Sequence, residues 1–183
     1  SIGAEIDFFE LKFEEGYRLD VGRIESMIRP GTKIVSVTTP HNPTGVVIPE
    51  SDLRKLVDLT ERRGCLLLVD ETYRDMAFGT PTPFAASLSP HVVSVCSLSK
   101  TYGLPGIRTG WLVSTDPKRM ETFLAAKEQS VITGSIVDET IAFEAIRSRS
   151  KRIPSIRSKI REHHSILESF YSKEKRLERV PTE

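Results

Sequence analysis

The chain has 183 residues, 38% of them hydrophobic, enough for one ordinary domain with a sizeable core. Its 26 Lys and Arg stand against 25 Asp and Glu, and the formal net charge of +1 argues against nucleic acid as the default partner. No apolar run is long enough to span a membrane and no charged-then-apolar leader is visible, so the cytoplasm is the expected compartment.

Residues 4–11 read as a strand. Residues 34–38 are rich in β-branched side chains and stop short of Pro40, which predicts a second strand. The segment 51–63 carries Leu53, Leu56, Val57 and Thr60 at helical spacing, with Gly64 as its stop. The run 66–69 is apolar on both faces, the pattern of a central strand in a parallel sheet. Residues 92–96 and 110–114 complete the predicted strands. The stretch 117–147 reads as helix, interrupted near Thr133, Gly134 and Ser135, and a last helix covers about 153–171. Its apolar stripe is Ile153, Ile156, Ile160, Leu167 and Phe170. Lys151, Arg152, Arg157, Lys159 and Arg161 crowd its other faces; without interleaved aromatics they predict a solvated face, not a nucleic-acid surface. Strands alternating with helices predict an α/β domain, a mostly parallel sheet sandwiched by helices. Pro154 and the Ser/Arg-rich stretch 147–151 mark the expected domain boundary.

Cys65 and Cys96 flank apolar runs and are expected to be two buried thiols rather than a bridge. Neither they nor His41, His91, His163 and His164 have metal-ligand spacing.

Three of the strands are followed by polar groups with chemical potential. Asn42 follows 34–38, Asp70 ends the next strand, and Ser97 and Lys100 follow 92–96. Open α/β sheets bind ligands outside the carboxyl ends of their strands, so these groups are expected on one edge. A lysine amine becomes useful when cationic neighbours or a Schiff base remove its charge, and Lys100 has Arg108 nearby in sequence. A lone Ser-x-x-Lys more often caps a turn. As the motif of a serine acyl-enzyme it needs Ser-Asp-Asn and Lys-Thr-Gly elsewhere, and neither triplet occurs. Asp70, closing an apolar run, needs a cation or donor beside it, for which a protonated pyridine nitrogen is suited, or it caps the following turn as Glu71 can. Asn42 and Tyr73 can both hydrogen-bond a phenolate-type oxygen, although Asn42 to Gly45 also makes a good turn. Ser97 and Arg108 suit a phosphate, with Gly106 and Gly110 allowing close backbone approach.

Taken with His41-Asn42-Pro43-Thr44-Gly45, Val69-Asp70-Glu71-Thr72-Tyr73, Ser97-Leu98-Ser99-Lys100 and the glycine-bearing run 103–110, the chain resembles fold-type I pyridoxal-phosphate enzymes. The resemblance is to the class I/II aminotransferase family and covers about residues 4–147. It implies an aminotransferase that uses pyridoxal 5′-phosphate to move an amino group between an amino acid and a 2-oxo acid. Lys100 is implied as the Schiff-base lysine, Asp70 as partner of the pyridine nitrogen, Asn42 and Tyr73 as holders of the ring oxygen, and Ser97 and Arg108 as phosphate ligands. Lys100, Asp70 and Tyr73 are the implied catalytic residues. A lyase or decarboxylase on the same fold is the alternative within the cofactor class.

Family members also carry an upstream glycine-containing phosphate loop, a stacking aromatic, and a downstream arginine for the substrate carboxylate. None has a candidate here. The chain is therefore expected to be a central piece, with 1–148 part of the large cofactor domain and 149–183 the truncated start of the small one. The full-length protein is expected to be a homodimer. A non-catalytic fragment that binds cofactor weakly is the remaining alternative.

Overall fold

A computed structural model describes residues 3–79 and 82–180. Four strands form one sheet in the order β1 (Ile34–Thr38), β2 (Leu66–Asp70), β3 (Val92–Ser97) and β4 (Gly110–Val113). The first three are parallel, and β4 returns antiparallel to β3. Helices flank this sheet, so the expected α/β class with a mostly parallel sheet is the class observed.

Two parallel neighbours need a crossover, and α2 (Glu50–Arg63) supplies it between β1 and β2. Its ends follow local chemistry. Glu50 and Asp52 sit in the first turn and Arg62 and Arg63 in the last, each matching the helix dipole. Gly64 then adopts the left-handed conformation (φ 68°) and its N–H closes on the Glu61 and Thr60 carbonyls. The inner face of α2, Leu53, Leu56, Val57 and Leu59, packs on Leu67 and Val69 of β2 and on Val92. Each fully buried leucine here contributes roughly 2 kcal/mol. Ile24 of α1 (Val21–Met27) joins this core. The opposite face of β2, Leu66 and Leu68, is only half-buried.

A second, smaller core joins the segment after β3 to the last helices. Leu98 and Tyr102 pack with Ala142 and Ala145 of α4 (Ile136–Arg147), against Trp111 and against Ile153 of α5 (Arg149–Tyr171). The interruption expected near 133–135 separates α3 (Pro117–Ser130) from α4, and Ser135 caps α4 by accepting from the Asp138 N–H at 3.3 Å.

Several expectations are corrected. Residues 4–11 form no strand: among the described residues they have no ladder partner, and Ile6 and Phe8 are 72% and 86% exposed. The last helix begins at Arg149, with Pro154 inside it. The basic side chains of α5 are not all solvated, because Arg157 Nη2 donates to the Phe78 carbonyl at 2.9 Å and Arg152 Nη2 to that of Tyr102 at 3.3 Å. Cys65 is buried, Cys96 half-buried, and both are free thiols. Burial pushes the Cys96 thiol up to about 12, which makes it inert.

Of the two glycines beside Arg108, Gly110 is the one the packing requires. A Cβ on it would stand 2.5 Å from the Cys96 carbonyl oxygen, whereas a Cβ on Gly106 would meet nothing within 4 Å. Gly110→Ala is therefore expected to lower the unfolding free energy by about 1–3 kcal/mol, as overpacking does. Gly106→Ala serves as the unaffected control, and urea unfolding of the two variants measures the difference.

Candidate active site

The sheet register places the carboxyl ends of the parallel strands side by side. Thr38 is level with Asp70 and Asp70 with Val95, after which β3 continues to Ser97. The turn after β1 is built on its own hydrogen bonds. Gly45 N–H donates to the His41 carbonyl at 2.7 Å, and His41 Nδ1 lies 2.9 Å from Thr44 Oγ1. The Thr39–Pro40 and Asn42–Pro43 peptides are cis. This turn presents Asn42, whose Nδ2 donates to Tyr73 Oη at 3.3 Å. The two residues expected to share one oxygen ligand are thus neighbours across two strand ends. They open onto a groove of about 290 Å³ whose walls include Pro40, Phe78, Ile160 and His164. Burial lowers the pKa of His41 on the same wall.

Asp70 and Glu71 point to different environments. Asp70 Oδ1 accepts from the Thr72 N–H at 2.9 Å, so it does cap the turn that leads to Tyr73. Glu71 is 1% exposed and its Oε2 accepts from the Ala85 N–H at 3.3 Å, with Arg74 Nε 3.7 Å from its Oε1. Burial raises the Glu71 pKa. Asp70, the last residue of β2, keeps its other carboxylate oxygen outside this turn bond.

After β3 the chain turns on its own hydroxyls. Ser99 N–H donates to Ser97 Oγ at 3.0 Å, and the two Oγ atoms lie 2.8 Å apart. Arg108 Nη1 reaches Ser99 Oγ at 3.5 Å and the Pro105 carbonyl at 3.0 Å. The backbone at Arg108 is left-handed (φ 49°), a conformation unusual for a side chain other than glycine. Two hydroxyls and a guanidinium therefore form one cluster. Ser99 belongs to it although sequence reasoning assigned it no role; its signal was a second hydroxyl directly before the lysine. Lys100 is exposed, and among the described residues its ammonium has no hydrogen-bond or ion-pair partner. The groove beside Asn42 and Tyr73 does not extend to Ser97, Lys100 or Arg108. What joins the two halves is Thr101, 2% exposed, whose hydroxyl donates to the Thr72 carbonyl at 3.0 Å.

A family model described as aminotransferase class I and II matches residues 1–175. The chain belongs to this family. Among curated relatives, it is 31% identical over 132 residues to nicotianamine aminotransferase 1 of Oryza sativa subsp. japonica, a match covering 70% of this chain and 26% of that protein. It is 36% identical over 107 residues to alanine aminotransferase of Mycobacterium tuberculosis, covering 57% and 25%. Among solved structures, a PLP-dependent aminotransferase from Streptococcus suis superposes with a TM-score of 0.90 at 28% identity, over 97% of this chain and 47% of that one. A double mutant of Thermus thermophilus aspartate aminotransferase shares the fold, with a TM-score of 0.79 at 24% identity, over 85% and 42%. The matched region thus spans about a quarter of these curated relatives and under half of these solved chains. Among the described residues no helix of this class I/II aminotransferase chain is long and apolar enough to cross a membrane.

Proposed function

We propose that this chain is the lysine-bearing part of a pyridoxal-phosphate-dependent aminotransferase that moves an amino group between an amino acid and a 2-oxo acid. What supports the reading is that Asn42, Asp70, Tyr73, Ser97 and Lys100 end or follow three adjacent parallel strands at their carboxyl ends, with Asn42 and Tyr73 hydrogen-bonded to each other. The donor set fits the cofactor. The cluster of Ser97, Ser99 and Arg108 offers hydroxyls and a guanidinium for a phosphate. Asn42 and Tyr73 offer donors for a ring oxygen, and Asp70 an anion for a protonated ring nitrogen. When bound, the cofactor supplies an electron sink for the pair left on the substrate α-carbon. Lys100 Nζ holds the cofactor and, once freed, is the base that takes the proton from that carbon. Asp70 holds the proton on the ring nitrogen, and Tyr73 orients the ring with Asn42.

Membership of an aminotransferase family favours transfer over the lyase and decarboxylase alternatives, which need only a different bond to the α-carbon to break. The activity is assigned to a longer protein, with residues 1–148 part of its cofactor domain, 149–183 the opening of its small domain, and a homodimer as its working unit. The chain alone is expected to be inactive. The relatives are named for different amino donors.

The test is to add pyridoxal phosphate to the complete protein and then supply amino acids and 2-oxo acids in pairs. The expected result is a visible absorbance band, followed by equal amounts of new 2-oxo acid and new amino acid. Release of carbon dioxide or ammonia in their place would assign the decarboxylase or lyase chemistry instead.

A further inference from the structure

Tyr102, two residues beyond Lys100, is 4% exposed, and its hydroxyl donates to Asp75 Oδ2 at 3.1 Å. The same carboxylate, whose side chain is 15% exposed, accepts from Arg149 Nη2 of α5 at 2.8 Å through Oδ1. Arg74 Nη1 stands 3.6 Å from that oxygen, and Arg152 Nη2 of α5 donates to the Tyr102 carbonyl at 3.3 Å. Asp75 is itself two residues beyond Tyr73. The turn that carries Lys100 is thus tied to the turn that carries Tyr73, and the start of α5 grips both. A carboxylate this enclosed is tolerated only while its partners remain in place. Lys100 is a long, flexible side chain with no partner for its ammonium among the described residues, so where Nζ can stand depends on how firmly its backbone turn is held.

We infer that Asp75 is a positioning residue for Lys100, acting through the Tyr102 hydroxyl, with Arg149 holding the Asp75 carboxylate at the junction of the two turns. This inference rests on the reading above that Lys100 holds the cofactor. A role confined to packing would lower stability and leave the rate of covalent attachment unchanged in protein that remains folded. A positioning role slows attachment, and it does so through one shared route.

The experiment follows the visible band after pyridoxal phosphate is added to the complete cofactor-free protein, in the parent and in Asp75→Ala, Tyr102→Phe, the double variant and Asp75→Asn. Urea midpoints are measured alongside. Asp75→Ala and Tyr102→Phe are each expected to slow attachment about tenfold, the scale of a modest loss of orientation. The double variant should be no slower than the worse single one, because both changes cut the same link. Asp75→Asn can keep its oxygen on Arg149 Nη2 and donate its amide N–H to the Tyr102 oxygen, so it keeps the link without the charge and should slow attachment less than Asp75→Ala. Tyr102→Phe removes one hydroxyl and little volume, so it carries the test even if Asp75→Ala does not fold. Parent-like rates in the single variants overturn the inference, and so do slowdowns that multiply in the double variant. A parent protein that attaches no cofactor overturns the cofactor reading first and this inference with it.

Discussion

Replacing Lys100 by alanine is expected to abolish covalent cofactor attachment completely while leaving the fold intact. The two halves of that result have separate causes. Lys100 is exposed and its ammonium has no partner among the described residues, so its loss should change stability by no more than about 0.5 kcal/mol. Lys100 itself, however, stands on the turn that follows β3, one residue after Ser99, whose hydroxyl meets Ser97 and Arg108. Without it the cofactor loses its attachment point on the proposed reading, and amino transfer should fall by roughly 10²–10⁴-fold from loss of the general base alone. Lys100→Arg sharpens the result: arginine keeps the charge but is not deprotonated in proteins, so it should behave as alanine does. Absorbance spectra of both variants with added pyridoxal phosphate, taken beside the parent, measure this. A band that persists in Lys100→Ala moves the role to another lysine and removes the central assignment.

Much of the fold was legible because the strand runs are bounded by strong punctuation. Ile34–Thr38 begins and ends as expected, since Pro40 and the turn beyond it admit no further ladder. α2 stops at Gly64, as its left-handed cap demands. The failures share a cause, which is dependence on partners that lie far away in sequence. Residues 4–11 carry strand-like apolar residues, but a strand exists only where another strand pairs with it. α1 has seven residues, too few for a helical period to stand out, and it is held by its Asp20 cap and by the burial of Ile24. Arg152 and Arg157 read as solvated charge because nothing local to α5 reveals the carbonyls they reach.

The candidate site divides in the same way. That Asn42 and Tyr73 would share one oxygen ligand came from the resemblance alone; their contact, across 31 residues, depends on the two parallel strands they follow. Asp75 and Arg149 lie 74 residues apart and no motif links them, so their contact becomes visible only once α5 is docked. Glu71 beside Asp70 is a case where the sequence left open which of two carboxylates caps the next turn. The pleat separates them, sending Glu71 into the core against Ala85 and leaving Asp70 at the edge.

That separation makes Asp70→Asn the second informative substitution. Asparagine retains an oxygen to accept the Thr72 N–H now bound at 2.9 Å, so the turn leading to Tyr73 should persist. Lys100 is untouched, and cofactor attachment should still occur. What asparagine lacks is the negative charge that, on the proposed reading, would keep a proton on the ring nitrogen, and stabilisation of charge developing in a transition state is where such groups act most strongly. Proton removal from the substrate α-carbon is expected to slow by roughly 10²–10³-fold, the scale seen when one preorganised electrostatic partner is removed. Exchange of the α-hydrogen with solvent deuterium, followed by NMR, isolates that step from amino transfer as a whole. Unchanged exchange would remove Asp70 from the role. Loss of attachment together with exchange would make Asp70 a structural tie between β2 and Thr72. Only the split result, with attachment retained and exchange slowed, places the carboxylate on the ring nitrogen, and the Lys100 variants cannot produce that split because they abolish both.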